Sequence, residues 1–314
     1  MPARQQPSLL DRLPAVRGRL TAAASLARYT WFKVGGAAEV LFRPEDVTDL
    51  SAFLAQLPAD IPLTVIGNAS NLLVRDGGIA GVVIRLGSGF SRIDTDGVTI
   101  NAGAAAADLT LARKARDAAI DGFGFLSGIP GTIGGSVVMN AGAYGSEVSD
   151  ICQTVTSLDR AGQVHEIAAA DLEFGYRRSS LDPDWIVTGL QLRGRAGNLT
   201  DISAQMEQIR SEREKTQPVR TLTGGSTFAN PPGHTAWQLI DQAGCRGLRR
   251  GDAMVSELHC NFLINTGAAT AADLEGLGEE VRRRVFDNCG IRLAWEIRCI
   301  GMPDQSVRKE IDHD

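Results

Sequence analysis

Apolar positions along this chain recur with two periods. After Pro44-Glu45-Asp46, the residues Val47, Leu50, Phe53 and Leu54 fall on one helical face, with acids in the first turn where the helix dipole favours them. Residues 63–66 and 81–86 are short continuous apolar runs, the pattern of buried strands, and the polar stretch Gly67-Asn68-Ala69-Ser70-Asn71 follows the first of them. Gly35-Gly36 separates two extended segments within residues 29–42. Residues 1–28 read as a tail with a weak helical period from Leu9 to Leu20, interrupted by Pro14.

A second region opens with a strand over 98–103 and a helix capped by Asp108, with Leu109, Ala112, Ala115 and Ala119 on one face. Strand signals at 154–158, 164–167 and 185–192 alternate with turns such as Asp159-Arg160-Ala161-Gly162. Between them lies Phe174-Gly175-Tyr176-Arg177-Arg178-Ser179-Ser180. A helix over 200–215, with Ile202, Met206 and Ile209 in register, stops before Pro218. A polar loop over 223–232 precedes a short helix at 236–240, ended by Gly244, and a strand at 262–265. Thr270 and Asp273 form a capping-box start to a helix ended by Gly290, and a last strand over 293–300 carries Glu296. The pattern divides the chain into three regions, the second opening near Ser88 and the third with the helix that starts at Thr200, and the length suits two or three domains.

The densest glycine run is Gly128-Ile129-Pro130-Gly131-Thr132-Ile133-Gly134-Gly135-Ser136, followed by Asn140-Ala141-Gly142-Ala143-Tyr144-Gly145. A packed helix or strand would not choose this density, because glycine loses the most freedom on ordering. What it provides is bare backbone, whose amides can converge on an anion. Thr132 and Ser136 add hydroxyls and Asn140 an amide, so a diphosphate suits the stretch; a tight glycine corner between strands fits the same density. No Gly-Lys-Ser/Thr follows, which excludes a P-loop, and no G-x-G-x-x-G fingerprint is present in the run.

Composition narrows the classes. With 43% hydrophobic and 22% charged residues the chain folds, and a net charge of −5 with scattered basic residues argues against nucleic-acid binding. The run Arg282-Arg283-Arg284 falls in a helical pattern and reads as a solvated face. Cys152, Cys245, Cys260, Cys289 and Cys299 form no C-x-x-C pair, and with four histidines no metal site is expected. No signal-peptide core or membrane-length apolar run is evident, so a cytoplasmic protein without a membrane partner is expected.

Seven stretches in order carry a resemblance: Thr30-Trp31-Phe32-Lys33-Val34-Gly35-Gly36, the Gly67 to Asn71 turn, the Gly128 to Gly135 run, the Asn140 to Gly145 run, Tyr176-Arg177, Gly225-Ser226-Thr227-Phe228-Ala229-Asn230-Pro231 and Trp295-Glu296-Ile297. Together they resemble the UDP-N-acetylenolpyruvoylglucosamine reductases, the MurB flavoenzymes of bacterial peptidoglycan synthesis, over residues 25–301. The resemblance implies an α+β fold in three domains: residues 1–86 and 87–216, of the vanillyl-alcohol-oxidase/PCMH type, which clasp FAD without a covalent bond, and residues 217–314, a C-terminal α+β domain for the substrate. It also implies NADPH as reductant, a UDP-sugar as substrate, and a monomer or weak oligomer. No tyrosine-rich insertion lies between Tyr176 and Trp185, as in the shorter type of the family. FAD would then lie against Gly67, Asn68, Ser70, Asn71, Gly128, Ile129, Pro130, Gly131, Thr132, Gly134, Gly135, Ser136, Asn140, Gly142, Ala143 and Tyr144. The UDP-sugar would meet Tyr176, Arg177, Lys215 and Asn230.

The implied reaction is a two-stage relay in which NADPH reduces FAD and flavin N5 passes hydride to the methylene carbon of an enolpyruvyl ether. Such chemistry needs a cation beside the substrate carboxylate and a proton donor at the α-carbon. By the resemblance, Arg177 holds the carboxylate, Ser226 donates the proton, and Glu296 acts with Arg177 on the developing enolate. Arg178 is an adjacent alternative; Arg177 is preferred because it directly follows Tyr176. Two positions depart from the family pattern: Ala229 replaces a common Lys, and Ala69 a preferred Gly. A related flavin oxidase and a non-catalytic flavin-binding module are the competing readings. The first is disfavoured because no His or Cys for covalent flavin lies in the glycine stretches, the second by the spaced set of Arg177, Ser226 and Glu296.

Overall fold

The computed structural model describes residues 8–304. The chain divides into two compact, discontinuous units. One comprises the described residues up to Ala22 with Glu39–Asn68 and Gly81–Ser211; the other comprises Ala23–Ala38, Ala69–Ala80 and the described residues from Glu212 onward.

In the first unit a four-stranded sheet has the order Arg19–Ser25, Ala37–Arg43, Ile79–Arg85, Leu63–Ile66. The last two strands run parallel, with Leu63 opposite Val82. Helix α1 (Val47–Gln56) connects into this sheet, its start closed by the Asp46 carboxylate accepting the Asp49 amide. Val40, Phe42, Leu50, Phe53, Val82 and Ile84 form its core. The expected tail is structured: Leu9–Arg12 is a short 3-10 turn and Arg19–Ser25 a strand. Leu9, Leu13, Val16 and Leu20 give this segment apolar surface to bury against that core.

The larger sheet of this unit is antiparallel, in the order Val164–Ala168, Cys152–Leu158, Ile186–Arg193, Thr99–Gly103, Ile93–Asp96. Helix α2 (Asp108–Asp117), helix α3 (Ile133–Val138) and the first turns of α4 (Leu199–Thr216) pack on it through Leu111, Ile133, Val137, Ile202 and Met206. Asp108 is not the cap of α2. Ala107 holds that position, and the Asp108 side chain turns inward to Ser136.

The second unit is built on an antiparallel sheet ordered Leu222–Ser226, Phe262–Asn265, Ala253–Val255, Arg249–Arg250. Helices α5 (Ala236–Gln242) and α6 (Ala271–Cys289) cover it, burying Leu239, Ile240, Leu274, Leu277, Val281 and Val285. Thr270 and Asp273 form the expected capping box of α6, and Gly290 ends it in the left-handed region at φ 73°. Asp76 adds a second cap, accepting the amides of Ala271 and Ala272 at 3.0 and 2.9 Å. The arginine run on α6 is paired with neighbouring acids: Arg282 with Glu279, and Arg283 and Arg284 with Glu280. These two guanidiniums hold the Glu280 carboxyl down at about 2.

Two strand expectations change. Residues 29–34 form turns, so the only regular strand of that stretch is Ala37–Arg43. The last strand is only Arg298–Ile300, which runs parallel to Leu72–Val74; Trp295 makes a single bridge to Phe228. Asp76→Ala should lower the unfolding free energy by about 1 kcal/mol through loss of the α6 cap. Urea denaturation would show this as an earlier midpoint at unchanged slope, and an unmoved midpoint would contradict it.

Candidate active site

The glycine run is a turn feeding a helix. Gly124–Gly128 is a 3-10 segment, and α3 starts at Ile133 behind Thr132. Its glycines serve two different ends. Gly134 is buried, its amide donates to the Ala104 carbonyl at 2.9 Å, and a Cβ there would stand 2.7 Å from the Ala104 Cβ. The same shortage of space applies at Gly131 against Asp108, at Gly128 against the Tyr144 ring and at Gly142 against Glu147. These residues are glycine because the interior leaves no room.

Gly135 differs. It is exposed, and the space a Cβ would fill holds only the Thr132 hydroxyl, 3.9 Å away. A Cβ on Gly67, at the end of the Leu63–Ile66 strand, would come 2.7 Å from the same hydroxyl. Gly67, Thr132 and Gly135 thus border one patch of bare backbone with a hydroxyl at its centre, which suits close approach of a phosphate. Asn68 secures the arrangement by donating its side-chain amide to the Pro130 carbonyl at 3.4 Å. Ile129 and Pro130 are half-buried between these parts, and Gly142–Ala143 leads to an exposed hairpin tip at Tyr144.

Three residues expected at the flavin also make contacts to the interior. Besides Gly134, Ser136 is buried and donates its hydroxyl to the Asp108 carboxyl at 2.7 Å. Asn140 is fully buried, donating to the Gly175 carbonyl at 3.2 Å and accepting the Ser149 amide at 3.0 Å. Its side chain satisfies backbone groups that burial would otherwise strand.

That Asn140 bond positions Arg177. Phe174–Gly175 and Arg178–Ser179 pair as a hairpin with Tyr176 and Arg177 as its two turn residues. Ser179 ties the second strand to the end of α3 through the Val138 carbonyl at 3.0 Å. Arg177 has φ +57°, a conformation costing an L-residue roughly 1 kcal/mol and normally given to Gly or Asn in such turns. Its guanidinium lies over the Tyr176 ring, 5.0 Å from the centroid. Arg178 lies instead in the strand, with its side chain across Gly175. Arg177 is thus half-buried at a strained turn.

Ser226 and Glu296 are brought together in the second unit. Thr223 faces Ile264 but Ser226 faces Phe262, so one extra residue is inserted, with Gly225 at φ +82°. This bulge bends the strand end and re-aims the half-buried Ser226. The Thr227 carbonyl then accepts the amides of both Glu296 (2.9 Å) and Ile297 (3.3 Å), placing the Glu296 backbone one residue from Ser226. Asn71 holds the other side of that junction, its side-chain amide donating to the Glu296 carbonyl at 3.0 Å. Sequence reasoning missed the brace beneath. Asn261, buried in the loop before Phe262–Asn265, accepts the Phe228 amide at 2.9 Å and donates to the Phe228 carbonyl at 2.8 Å. The Asn261 carbonyl also accepts the Thr227 amide at 2.7 Å.

The remaining expected residues have simpler settings. Lys215 is exposed in the last turn of α4, and Asn230 is exposed with its side-chain oxygen accepting the Ala236 amide at the start of α5. Ala229 donates its amide to the Ala294 carbonyl, so the course of this segment is set by backbone and accommodates the change from Lys. Ala69 is buried at φ +51°, where Gly would be unstrained. Ser70 is half-buried in the same turn.

The first unit belongs with FAD-binding proteins, for residues 38–168 match the model of an FAD binding domain. Residues 217–300 match that of the UDP-N-acetylenolpyruvoylglucosamine reductase C-terminal domain. The reductase of that name from Azorhizobium caulinodans is 57% identical over 297 residues, covering 95% of this chain and 96% of the relative. That from Parvibaculum lavamentivorans is 56% identical, covering 99% and 98%. The crystal structure of UDP-N-acetylenolpyruvylglucosamine reductase (MurB) from Thermus caldophilus superposes with a TM-score of 0.79 at 35% identity, covering 91% of this chain and all of that one. The chain belongs to the UDP-N-acetylenolpyruvoylglucosamine reductase family.

The two kinds of glycine give opposite expectations for FAD. Gly135→Val should fold, since valine is no worse a helix former than glycine, yet purify without flavin, because its branches enter the patch. Gly134→Val should unfold at markedly lower temperature. Flavin absorbance per chain and a thermal melt separate the two, and one FAD per chain in Gly135→Val would dismiss the patch as a phosphate site.

Proposed function

We propose that Arg177, Ser226 and Glu296 carry the substrate half of the family reaction, the NADPH-dependent reduction of UDP-N-acetylglucosamine enolpyruvate to UDP-N-acetylmuramate. The observation that supports this most is the shared Thr227 carbonyl, which sets Glu296 beside Ser226. FAD, reduced by NADPH, supplies the hydride that adds to the methylene carbon. Residues 1–86 and 87–216 are read as the flavin-holding part and 217–314 as the part that receives the UDP-sugar, in keeping with the two family matches.

Hydride addition leaves an electron pair on the α-carbon and its carboxylate. The Arg177 guanidinium, presented at a hairpin turn, pairs with that carboxylate through two parallel N–H donors and lowers the cost of the charge. Ser226 gives its hydroxyl proton to the α-carbon, so that one hydride and one proton complete the reduction. Glu296 acts with Arg177 on the developing enolate. Tyr176, Lys215 and Asn230 line the approach of the UDP-sugar.

Among the described residues no helix is long and apolar enough to cross a membrane. A cytoplasmic monomer or weak oligomer is the working species that the family resemblance suggests. Ser226→Ala should leave reduction of FAD by NADPH near its normal rate and slow reoxidation by the enolpyruvyl sugar by about 10²–10⁴-fold, or ~3–5 kcal/mol of barrier. Arg177→Lys should also slow reoxidation, because an ammonium lacks the fork. Stopped-flow absorbance at the flavin band reads both steps; equal slowing of both in Ser226→Ala would remove it as proton donor.

A further inference from the structure

We infer that Asp108 is a carboxylic acid built beneath the glycine turn, and that its protonation is linked to occupation of the Gly67–Thr132–Gly135 patch by the FAD diphosphate. The inference rests on reading that patch as the flavin site.

An acid at the first position of α2 would ordinarily face solvent and favour the helix dipole. Asp108 does neither. It is fully buried, and one oxygen, Oδ2, takes the Ser136 hydroxyl at 2.7 Å. Gly131 presses on the same oxygen, since a Cβ there would stand 2.7 Å from it. The other oxygen, Oδ1, is buried with no hydrogen-bond partner. An ionised carboxylate accepts about four hydrogen bonds, so this setting leaves most of a buried charge uncompensated.

No cation redresses it. Residues 99–107, 122–143 and 186–192, which pack around the carboxyl, contain no Asp, Glu, His, Lys, Arg, Cys or Tyr. On α2 itself, Arg113 and Lys114 are exposed and Arg116 pairs with Asp117. Asp94 and Asp96 on the Ile93–Asp96 strand are exposed, and Asp121 pairs with Arg195. Burial accordingly raises the Asp108 carboxyl to about 7, against opposing bonds from Ser136 and the Gly131 amide.

A diphosphate over the turn brings like charge toward the same carboxyl and favours its neutral form further. By linkage, ionised Asp108 must weaken FAD binding. The sign follows from the raised value: affinity is full below about pH 7 and falls as pH rises, by up to about tenfold per unit, until the carboxyl of the complex itself ionises.

The test is titration of the full-length, flavin-stripped chain with FAD, read by quenching of flavin fluorescence, from about one unit below pH 7 to two above. Wild type should lose affinity over the upper range, and Asp108→Asn, neutral and of the same shape, should bind with little change. A second measurement needs no variant: in the 13C-aspartate-labelled chain, one side-chain carboxyl should titrate near 7 and move upward when FAD is added. Carboxyls that all titrate below about pH 5 would overturn the inference, as would a wild-type affinity that is flat with pH or a slope retained in Asp108→Asn. Failure to bind FAD at any pH would instead defeat the flavin reading, and the inference with it.

Discussion

The Asn261 side chain clasps the backbone of Phe228 from both directions, and the placement of the proposed proton-handling groups depends on that clasp. A primary amide offers one acceptor and two donors, so it can replace a neighbouring strand across a single residue. It does so where the bulge at Gly225 has broken the regular ladder. With Phe228 fixed, the Thr227 carbonyl is free to receive Glu296 and Ile297. The backbones that carry Ser226 and Glu296 are therefore held close by main-chain bonds.

The glycine-rich turn obeys a related logic. Gly134 and Gly131 let backbone and buried side chains approach, and only after that packing is complete does Gly135 present bare backbone outward. Beneath the outward face lies a carboxyl that accepts from Ser136, and beside it Asn140 runs from the end of α3 to the hairpin of Arg177.

Much of this was legible in the sequence where the signal is short-range. The capping box at Thr270 and Asp273, the stop at Gly290 and the strand at 63–66 each depend on neighbours within a few positions, and each forms as its pattern predicts, although that strand buries only Ile66 and leaves Val65 exposed. The motif order also identified the family correctly. What was not legible is pairing across distance. Ser136 and Asp108 are 28 positions apart, and Asn261 and Phe228 are 33 apart. Nothing in a serine or an asparagine tells whether its partner is a ligand or a buried backbone group. Glycine has the same ambiguity, since the letter at 134 and 135 is identical while one faces Ala104 and the other open space. The last strand was read too long because residues 293–297 carry a strand-like apolar pattern but are held through Thr227 and Phe228 rather than a ladder.

On this reading Asn261 acts through Ser226 and Glu296, by fixing the backbone that carries them. The decisive measurement is anaerobic stopped-flow of Asn261→Ala, in protein that still binds one FAD, following flavin reduction by NADPH and then reoxidation by the enolpyruvyl UDP-sugar. Reduction should proceed at the normal rate and reoxidation should fall by at least about tenfold, the cost of a misplaced proton donor. Reoxidation at the wild-type rate would contradict the claim, and would mean that the clasp under Phe228 has no part in placing the groups that finish the reaction.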